Sequence, residues 1–330
     1  DFQLLKRIIE DNSSFLITTH VNPDADAIGS EIALYKVLKK LGKKVHIINH
    51  SETPYYLKFL DSDDVVKKFN PGSDIKYFDE SDVLIGVDFN RLNRLASMEK
   101  VFTESKKIKI SIDHHQDSED FVDYYFDDDQ YAATGHIIYD FIEQSGIVEL
   151  EYDMAYQLYA AIMTDTGSFR FERTTAELHR VIAKLLDVGV NPVEVYDKVY
   201  DQNKLSKIRL LSRALGSIKL IGDNRIGYMC LTKKDIDDFS ALESDTDGFV
   251  NYTLSIENIV MGMLFIELKK GFKISFRSKG NIPVDKLAAQ FGGGGHINAA
   301  GVRFFDLSME KEMNDILKTA EEFLKNNYQE

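Results

Sequence analysis

The chain has 330 residues, room for about two domains, and 44% of them are hydrophobic, enough to bury a sizeable core and to exclude wholesale disorder. With 40 basic against 54 acidic residues the net charge is −14, which excludes a long nucleic-acid duplex held on a broad basic face; bound cations and a few arginines would still suit a short anionic ligand. The single cysteine, Cys230, excludes an intramolecular disulfide and fits a reducing cytoplasm.

The first half alternates strands and helices. Residues 15–19 read as a strand, 27–41 as a helix stopped by Gly42, and 44–49 as the next strand. Residues 83–87 and 108–112 are nearly all apolar, as in a parallel sheet covered on both faces. Helices are expected at 134–145, 153–163, 175–186 and 192–199, the last with Asn191 as N-cap and Pro192 in its first turn. Near residue 200 the character changes. A connecting helix at 204–215 is followed by strand pairs, 217–221 with 225–231 and 258–268 with 272–277; Lys269-Lys-Gly271 is a hairpin signal. Cys230 lies in the first of these pairs and reads as an inert buried thiol. The segment 284–290, a glycine run at 292–295, a strand at 302–305 and a terminal helix from 309 complete the chain. The longest apolar run, 259–266, is too short to cross a bilayer, and no segment reads as a signal peptide, so no membrane partner is expected and the location is read as cytoplasmic.

Three strand ends carry acids and histidines at spacings that suit a metal pair: His20-Val-Asn-Pro-Asp24-Ala-Asp26, Asp88 after 83–87, and Asp113-His114-His115 after 108–112. Ligands bind at that edge of open α/β sheets. Carboxylate mixed with imidazole is the donor set of Mn²⁺, Zn²⁺ or Fe²⁺ rather than Ca²⁺. Asp24 or Asp26 could instead merely cap the helix that follows. Asp88, on a central strand, is the natural carboxylate to bridge two cations roughly 3.5–4 Å apart. Adjacent His114 and His115 point in different directions, so one can ligate while the other meets substrate or handles a proton, with Asp113 orienting a neighbour. Asp165, before Thr166-Gly-Ser-Phe-Arg170, is a fourth acid. His46, His50, His136 and His179 have no acidic partner at ligand spacing and read as structural or solvated. In Phe291-Gly-Gly-Gly-Gly-His296, glycines allow backbone N–H groups to approach an anion, and His296 with Arg277 could hold a phosphate or base.

Together these residues resemble the DHH phosphoesterase superfamily. The four acidic motifs occur in order, and Arg277-Ser278 followed by Gly293-Gly-Gly-His296 resembles the RecJ-type DHH-associated domain. The combined length resembles the subfamily of nano-RNases and pAp phosphatases. The resemblance implies an α/β fold: a doubly wound, mainly parallel sheet in a metal-binding catalytic domain (1–200), a linker (201–215), and a smaller mixed-sheet substrate domain (216–330), with the active site in the cleft. It implies two divalent metal ions, manganese first among them. His20, Asp24 and Asp88 would hold one; Asp26, Asp88, His114 and Asp165 the other. His115 would contact the scissile phosphate, with Asp113 in support. Arg277, Ser278, Gly294, Gly295 and His296 would bind the nucleotide. The expected substrates are short single-stranded RNA oligonucleotides and 3′-phosphoadenosine 5′-phosphate. A cyclic-dinucleotide phosphodiesterase and a catalytically inactive nucleotide sensor are the alternatives, and a homo-oligomer is left open.

Overall fold

The apolar runs of the first half form the centre of a six-stranded sheet in a computed structural model that describes residues 1–116 and 118–328, apart from the side chain of His296. In chain order the elements are α1 (Phe2–Asp11), β1 (Ser14–Thr19), α2 (Ala25–Lys40), β2 (Lys44–Asn49), β3 (Val66–Lys68), α3 (Ile75–Glu80), β4 (Val83–Val87), α4 (Glu99–Glu104), β5 (Ile108–Asp113) and β6 (Tyr124–Asp127). Helices α5 (Thr134–Ser145), α6 (Tyr152–Asp165), α7 (Ala176–Asp187) and α8 (Pro192–Tyr200) complete a unit spanning Asp1–Gln202. The sheet order is β3-β2-β1-β4-β5-β6 and every pairing is parallel.

Alternation along the strands buries both faces. Phe15, Ile17, Ile85 and Ile110 pack with residues of α2, α5 and α6, while Leu16 and Leu84 pack on the other side with Phe78, Phe89 and Phe102. The sheet is therefore doubly wound. From β1 the chain runs outward through β2 and β3, then returns to β4 on the other side of β1. That reversal separates the crossovers and leaves a crevice at the C-terminal ends of β1 and β4. His20 and Asp88 are the residues that follow those two ends.

Helix α2 carries an unusual burden in this core. Glu31 is fully buried and accepts a hydrogen bond from Asn49 Nδ2 at 2.8 Å. Burial pushes its carboxyl from 4.5 up to about 8, with the Asn49 hydrogen bond opposing the shift. The folded chain thus binds a proton that the unfolded chain has released, and stability falls as pH rises between those two values. Glu31→Gln lacks this loss. Its melting temperature relative to the parent is expected to climb from about pH 5 to about pH 8 and then level off. A difference that stays flat in thermal melts across this range would mean that Glu31 ionises freely in the folded chain.

The second unit spans Asn203–Glu330. It contains α9 (Leu205–Gly216), β7 (Lys219–Ile221), β8 (Ile226–Leu231), α10 (Lys233–Asp238), α11 (Asn251–Leu254), β9 (Met261–Glu267), β10 (Phe272–Ser278), α12 (Val284–Ala289), β11 (Gly294–His296), β12 (Ala299–Phe304) and α13 (Met309–Asn327). The sheet order is β11-β12-β10-β9-β8-β7; β8 and β9 pair in parallel and the remaining neighbours antiparallel. The β9–β10 hairpin turns at Gly271, whose φ of +89° suits glycine. Helix α9 packs within this unit, with Leu210 and Ala214 buried beside Met229 and Leu264. Cys230 is half-buried on β8, rather than fully buried, and burial pushes its thiol up to about 11, which disfavours the reactive thiolate.

The glycine run differs from a free loop. Its last residues form the edge strand β11, and β12 begins at Ala299, earlier than its apolar residues indicate. A Cβ on Gly293 would lie 2.3 Å from the Gly301 carbonyl oxygen, and one on Gly295 would lie 2.4 Å from that of Ala299. Backbone contact with β12 thus requires glycine at both positions. Among the described residues, no helix is long and apolar enough to cross a membrane.

Candidate metal centre

The chain leaves β1 through His20 and Asn22, the latter with φ +56°, and enters α2 at Asp24. Asp24 does cap that helix: its Oδ1 accepts from the N–H groups of Asp26 at 3.0 Å and Ala27 at 3.1 Å. One carboxylate oxygen remains for another partner, so capping and ligation are compatible. His20 Nδ1 lies 2.9 Å from the Val21 carbonyl oxygen, which fixes Nδ1 as the protonated nitrogen and turns Nε2 toward Asp88 Oδ2, 3.5 Å away. Burial pulls the His20 pKa down, so the ring is neutral and suited to ligation.

Asp88 follows β4 with φ +64° and is tied to β5 by its N–H, which donates to the Ile112 carbonyl at 3.0 Å. Its two oxygens face opposite ways. Oδ2 addresses His20, and Oδ1 lies 3.6 Å from His114 Nε2. His114 Nε2 also lies 3.2 Å from Asp165 Oδ2 and 3.8 Å from Asp26 Oδ2. Two donor sets result, His20 with Asp24 and Asp88, and Asp26 with His114 and Asp165, each with its ligand atoms within 4.8 Å of one another. Asp88, His114 and His115 make a third such group, in which Asp88 joins the sets. His115 is turned differently: its Nδ1 lies 2.6 Å from Asp113 Oδ1.

Asp165 ends α6, where Gly167, Ser168 and Phe169 all take positive φ and reverse the chain. A Cβ on Gly167 would strike the Phe171 ring at 2.5 Å, so this tight turn, which leaves the carboxylate facing His114, needs glycine.

Several partners of the acids escaped sequence reasoning. Asp26 is buried, and its oxygens accept from the Ser30 hydroxyl at 3.0 Å, the Gly135 N–H at 2.9 Å and the Thr134 N–H at 2.7 Å. Those last donors belong to the start of α5, where unpaired N–H groups favour an anion. The Thr134 hydroxyl donates to Asp88 Oδ1 at 2.9 Å. Gly135 permits this approach, because a Cβ there would lie 2.6 Å from that of Ala161. Arg173 donates to the Tyr131 carbonyl oxygen at 3.2 Å and to that of His114 at 3.5 Å, bracing the loop that carries His114 and His115. The sequence signal for these residues is slight: a small-residue stretch, Ala132-Ala-Thr-Gly135, before a helix.

The electrostatics fit cations. Burial, then the charge of Asp24, pushes Asp26 up to about 7. Burial and the surrounding acids likewise raise Asp88 and Asp165 well above the usual carboxylate range, with Arg173 opposing the shift at Asp165. Oxygen and imidazole donors converge where crowded carboxylates lack sufficient positive charge, so the donor set suits divalent metal ions.

In the second unit Arg277 lies on β10 beside Ala299 and Gly262 of the flanking strands. Its Nη1 donates to the Phe276 carbonyl at 2.9 Å; burial lowers its pKa and the nearby Asp247 carboxylate raises it. Ser278 is buried, and its hydroxyl donates to the Ile282 carbonyl at 2.6 Å and accepts from Asn298 Nδ2 at 2.9 Å. Gly294 and Gly295 pair with Gly301 and Ala300. The His296 side chain lies outside the described residues.

A doubly wound parallel sheet whose C-terminal edge gathers carboxylates and imidazoles around Asp88 defines the class, an α/β protein with acid–histidine clusters that could hold metal ions at a topological switch point. Profiles of the DHH family N-terminal domain and of the DHHA1 domain match residues 14–163 and 232–326. The chain belongs to the DHH family. It is 32% identical over 312 residues to the bifunctional oligoribonuclease and PAP phosphatase NrnA of Thermus thermophilus, covering 93% of this chain and 89% of that protein. The protein of the same name from Bacillus subtilis is 24% identical, covering 91% of this chain and 92% of its own. Among solved structures, an exopolyphosphatase-related protein from Bacteroides fragilis is similar, with TM-score 0.93, 32% identity and coverage of 98% of this chain and 97% of that one. RecJ from Thermus thermophilus shares the fold at TM-score 0.57 and 13% identity, covering 98% of this chain and 55% of RecJ.

Proposed function

We propose that this chain is a dinuclear-metal phosphoesterase that hydrolyses short RNA oligonucleotides and 3′-phosphoadenosine 5′-phosphate, with manganese as the metal. The observation that carries this reading is Asp88, with one oxygen 3.5 Å from His20 Nε2 and the other 3.6 Å from His114 Nε2. A single carboxylate addressing two donor sets is the layout of a two-metal site. The substrate class rests on the relatives named oligoribonuclease and PAP phosphatase. No comparable support favours a cyclic dinucleotide or a catalytically inactive sensor. The single cysteine supports a cytoplasmic location.

In this reading His20, Asp24 and Asp88 hold one ion, and Asp26, Asp88, His114 and Asp165 hold the other. Two bound cations supply Lewis acidity and positive charge for in-line attack at phosphorus. Thr134, Gly135 and Ser30 orient Asp26. Asp113 fixes the proton of His115 on Nδ1, so that Nε2 meets a phosphoryl oxygen or moves a proton. Arg277 and His296, with the backbone of Gly294 and Gly295, bind the nucleotide. Ser278, its hydroxyl engaged by Ile282 and Asn298, serves by holding the turn beside Arg277.

The division between the histidines is testable. His114→Ala is expected to lower metal content. His115→Ala is expected to retain metal and to slow the chemical step by roughly 10²–10⁴. Metal analysis and single-turnover rates check both, and equal metal loss in the two variants would refute the division.

The function itself is tested by a Mn²⁺ activity panel of a dinucleotide, a five-nucleotide RNA, 3′-phosphoadenosine 5′-phosphate, cyclic di-AMP and pyrophosphate. The first three are expected to be cleaved well and the last two poorly. Preference for cyclic di-AMP or pyrophosphate would overturn the substrate reading.

A further inference from the structure

Strands β1 and β2 part before they end. Their parallel ladder stops at Ile17 opposite Ile47, although β1 runs to Thr19 and β2 to Asn49. On the other sides of these strands pairing continues, β1 with β4 to Thr19 opposite Val87, and β2 with β3 to Asn49 opposite Lys68. The split therefore lies at the inner edge from which His20 emerges.

The Asn49 side chain spans the split. Its Oδ1 accepts from the Thr19 N–H at 3.1 Å and its Nδ2 donates to Glu31 Oε2 at 2.8 Å. A backbone N–H can only donate, so the amide must face Thr19 with its oxygen and Glu31 with its nitrogen. The Thr19 hydroxyl then donates to the Val87 carbonyl at 2.7 Å. Thr19, Glu31 and Asn49 are all fully buried. The chain of bonds joins α2, which Asp24 caps, to β2, to the residue before His20, and to the residue before Asp88. Burying a carboxyl and an amide is costly, and among the described residues Glu31 Oε1 has no hydrogen-bond partner to offset it. An apolar pair would fill the same space; only a polar pair replaces the missing ladder bond.

We infer that Asn49, held by Glu31, is a positioning residue that sets the end of β1 and thereby His20 for the His20/Asp24/Asp88 side of the metal centre. This rests on the two-metal reading above. The arrangement acts selectively, because Asp26 is fixed separately by Thr134 and Gly135 from α5, and Asp165 belongs to α6.

The test is Mn²⁺ titration of the full chain, reading bound and free ion by electron paramagnetic resonance, beside thermal melts. Asn49→Leu is expected to weaken one of two sites by roughly 10–100-fold, the usual effect of removing a group that orients a ligand, and to leave the other within about threefold. Asn49→Ala, a smaller change, gives the same asymmetry should the leucine variant fail to fold. Glu31→Gln retains an oxygen that accepts from Asn49 and is expected to keep both sites, whereas Glu31→Leu is expected to weaken the same site as Asn49→Leu. Unchanged affinity in the Asn49 variants, or parallel weakening of both sites in step with melting temperature, would overturn the inference. Fewer than two sites in the parent chain would instead overturn the two-metal reading itself. No nucleotide is needed, so a wrong substrate assignment leaves the result unaffected.

Discussion

Asp88→Ala is expected to abolish hydrolysis, with a loss on the order of 10⁴ or more, because under the proposed two-metal reading it removes the carboxylate shared by both ions. It should also release more metal than His20→Ala or Asp165→Ala, each of which removes a ligand from one ion. Asp88 is a strand-end residue outside the hydrophobic clusters, so the fold should survive. Its positive φ adds a complication, since alanine in a left-handed conformation costs roughly 1–2 kcal/mol, whereas asparagine tolerates it. Asp88→Asn therefore serves as a control that keeps the backbone and one oxygen while removing the charge. Turnover, bound metal and the melting curve of both variants decide the matter. Near-normal metal content and activity in Asp88→Ala would sink the bridging role.

Arg277→Ala is expected to cut kcat/KM for 3′-phosphoadenosine 5′-phosphate and for a dinucleotide by roughly 10²–10³, equivalent to about 3–4 kcal/mol of lost charge-assisted hydrogen bonding. Cleavage of bis-p-nitrophenyl phosphate, which has no nucleoside to grip, should change by no more than about threefold. His296→Ala should follow the same pattern. Arg277 stands near Asp247, so its removal leaves a carboxylate less compensated. Arg277→Lys keeps that charge but lacks the planar fork, and should recover stability more than nucleotide affinity. Equal losses on both substrate types would mean that Arg277 supports the fold or the metals and not recognition.

The clustering of acids and histidines was legible because these residues lie where apolar runs stop. Apolar pentapeptides such as Val83–Val87, in a β–α alternation, suit central strands, and an acid at the C-terminal end of such a strand falls at the ligand-binding edge of a parallel sheet. Shorter or more polar elements were harder to read. Strand β3 has exposed lysines on a sheet edge, and α3 and α4 are each six residues long, too short for periodicity to speak. The glycine run read as an anion-cradling loop, yet Gly293 and Gly295 are needed because β12 passes too close for any Cβ.

The sequence by itself determined the two-sided core and the identity of the acids and histidines at the strand ends, because hydrophobic period is a local property; the order of the strands around β1 and β4 came from the tertiary structure. Only the tertiary structure decided which atoms meet. The two oxygens of Asp88 acquire separate partners through its left-handed backbone and its tie to β5. Asp26 is oriented by backbone N–H groups of α5, more than a hundred positions away in the chain, and such groups are present in every residue and so leave no trace in composition. The Asn49–Glu31 pair gains meaning only where the β1–β2 ladder breaks, and that break is set by how the strands diverge rather than by which residues they contain.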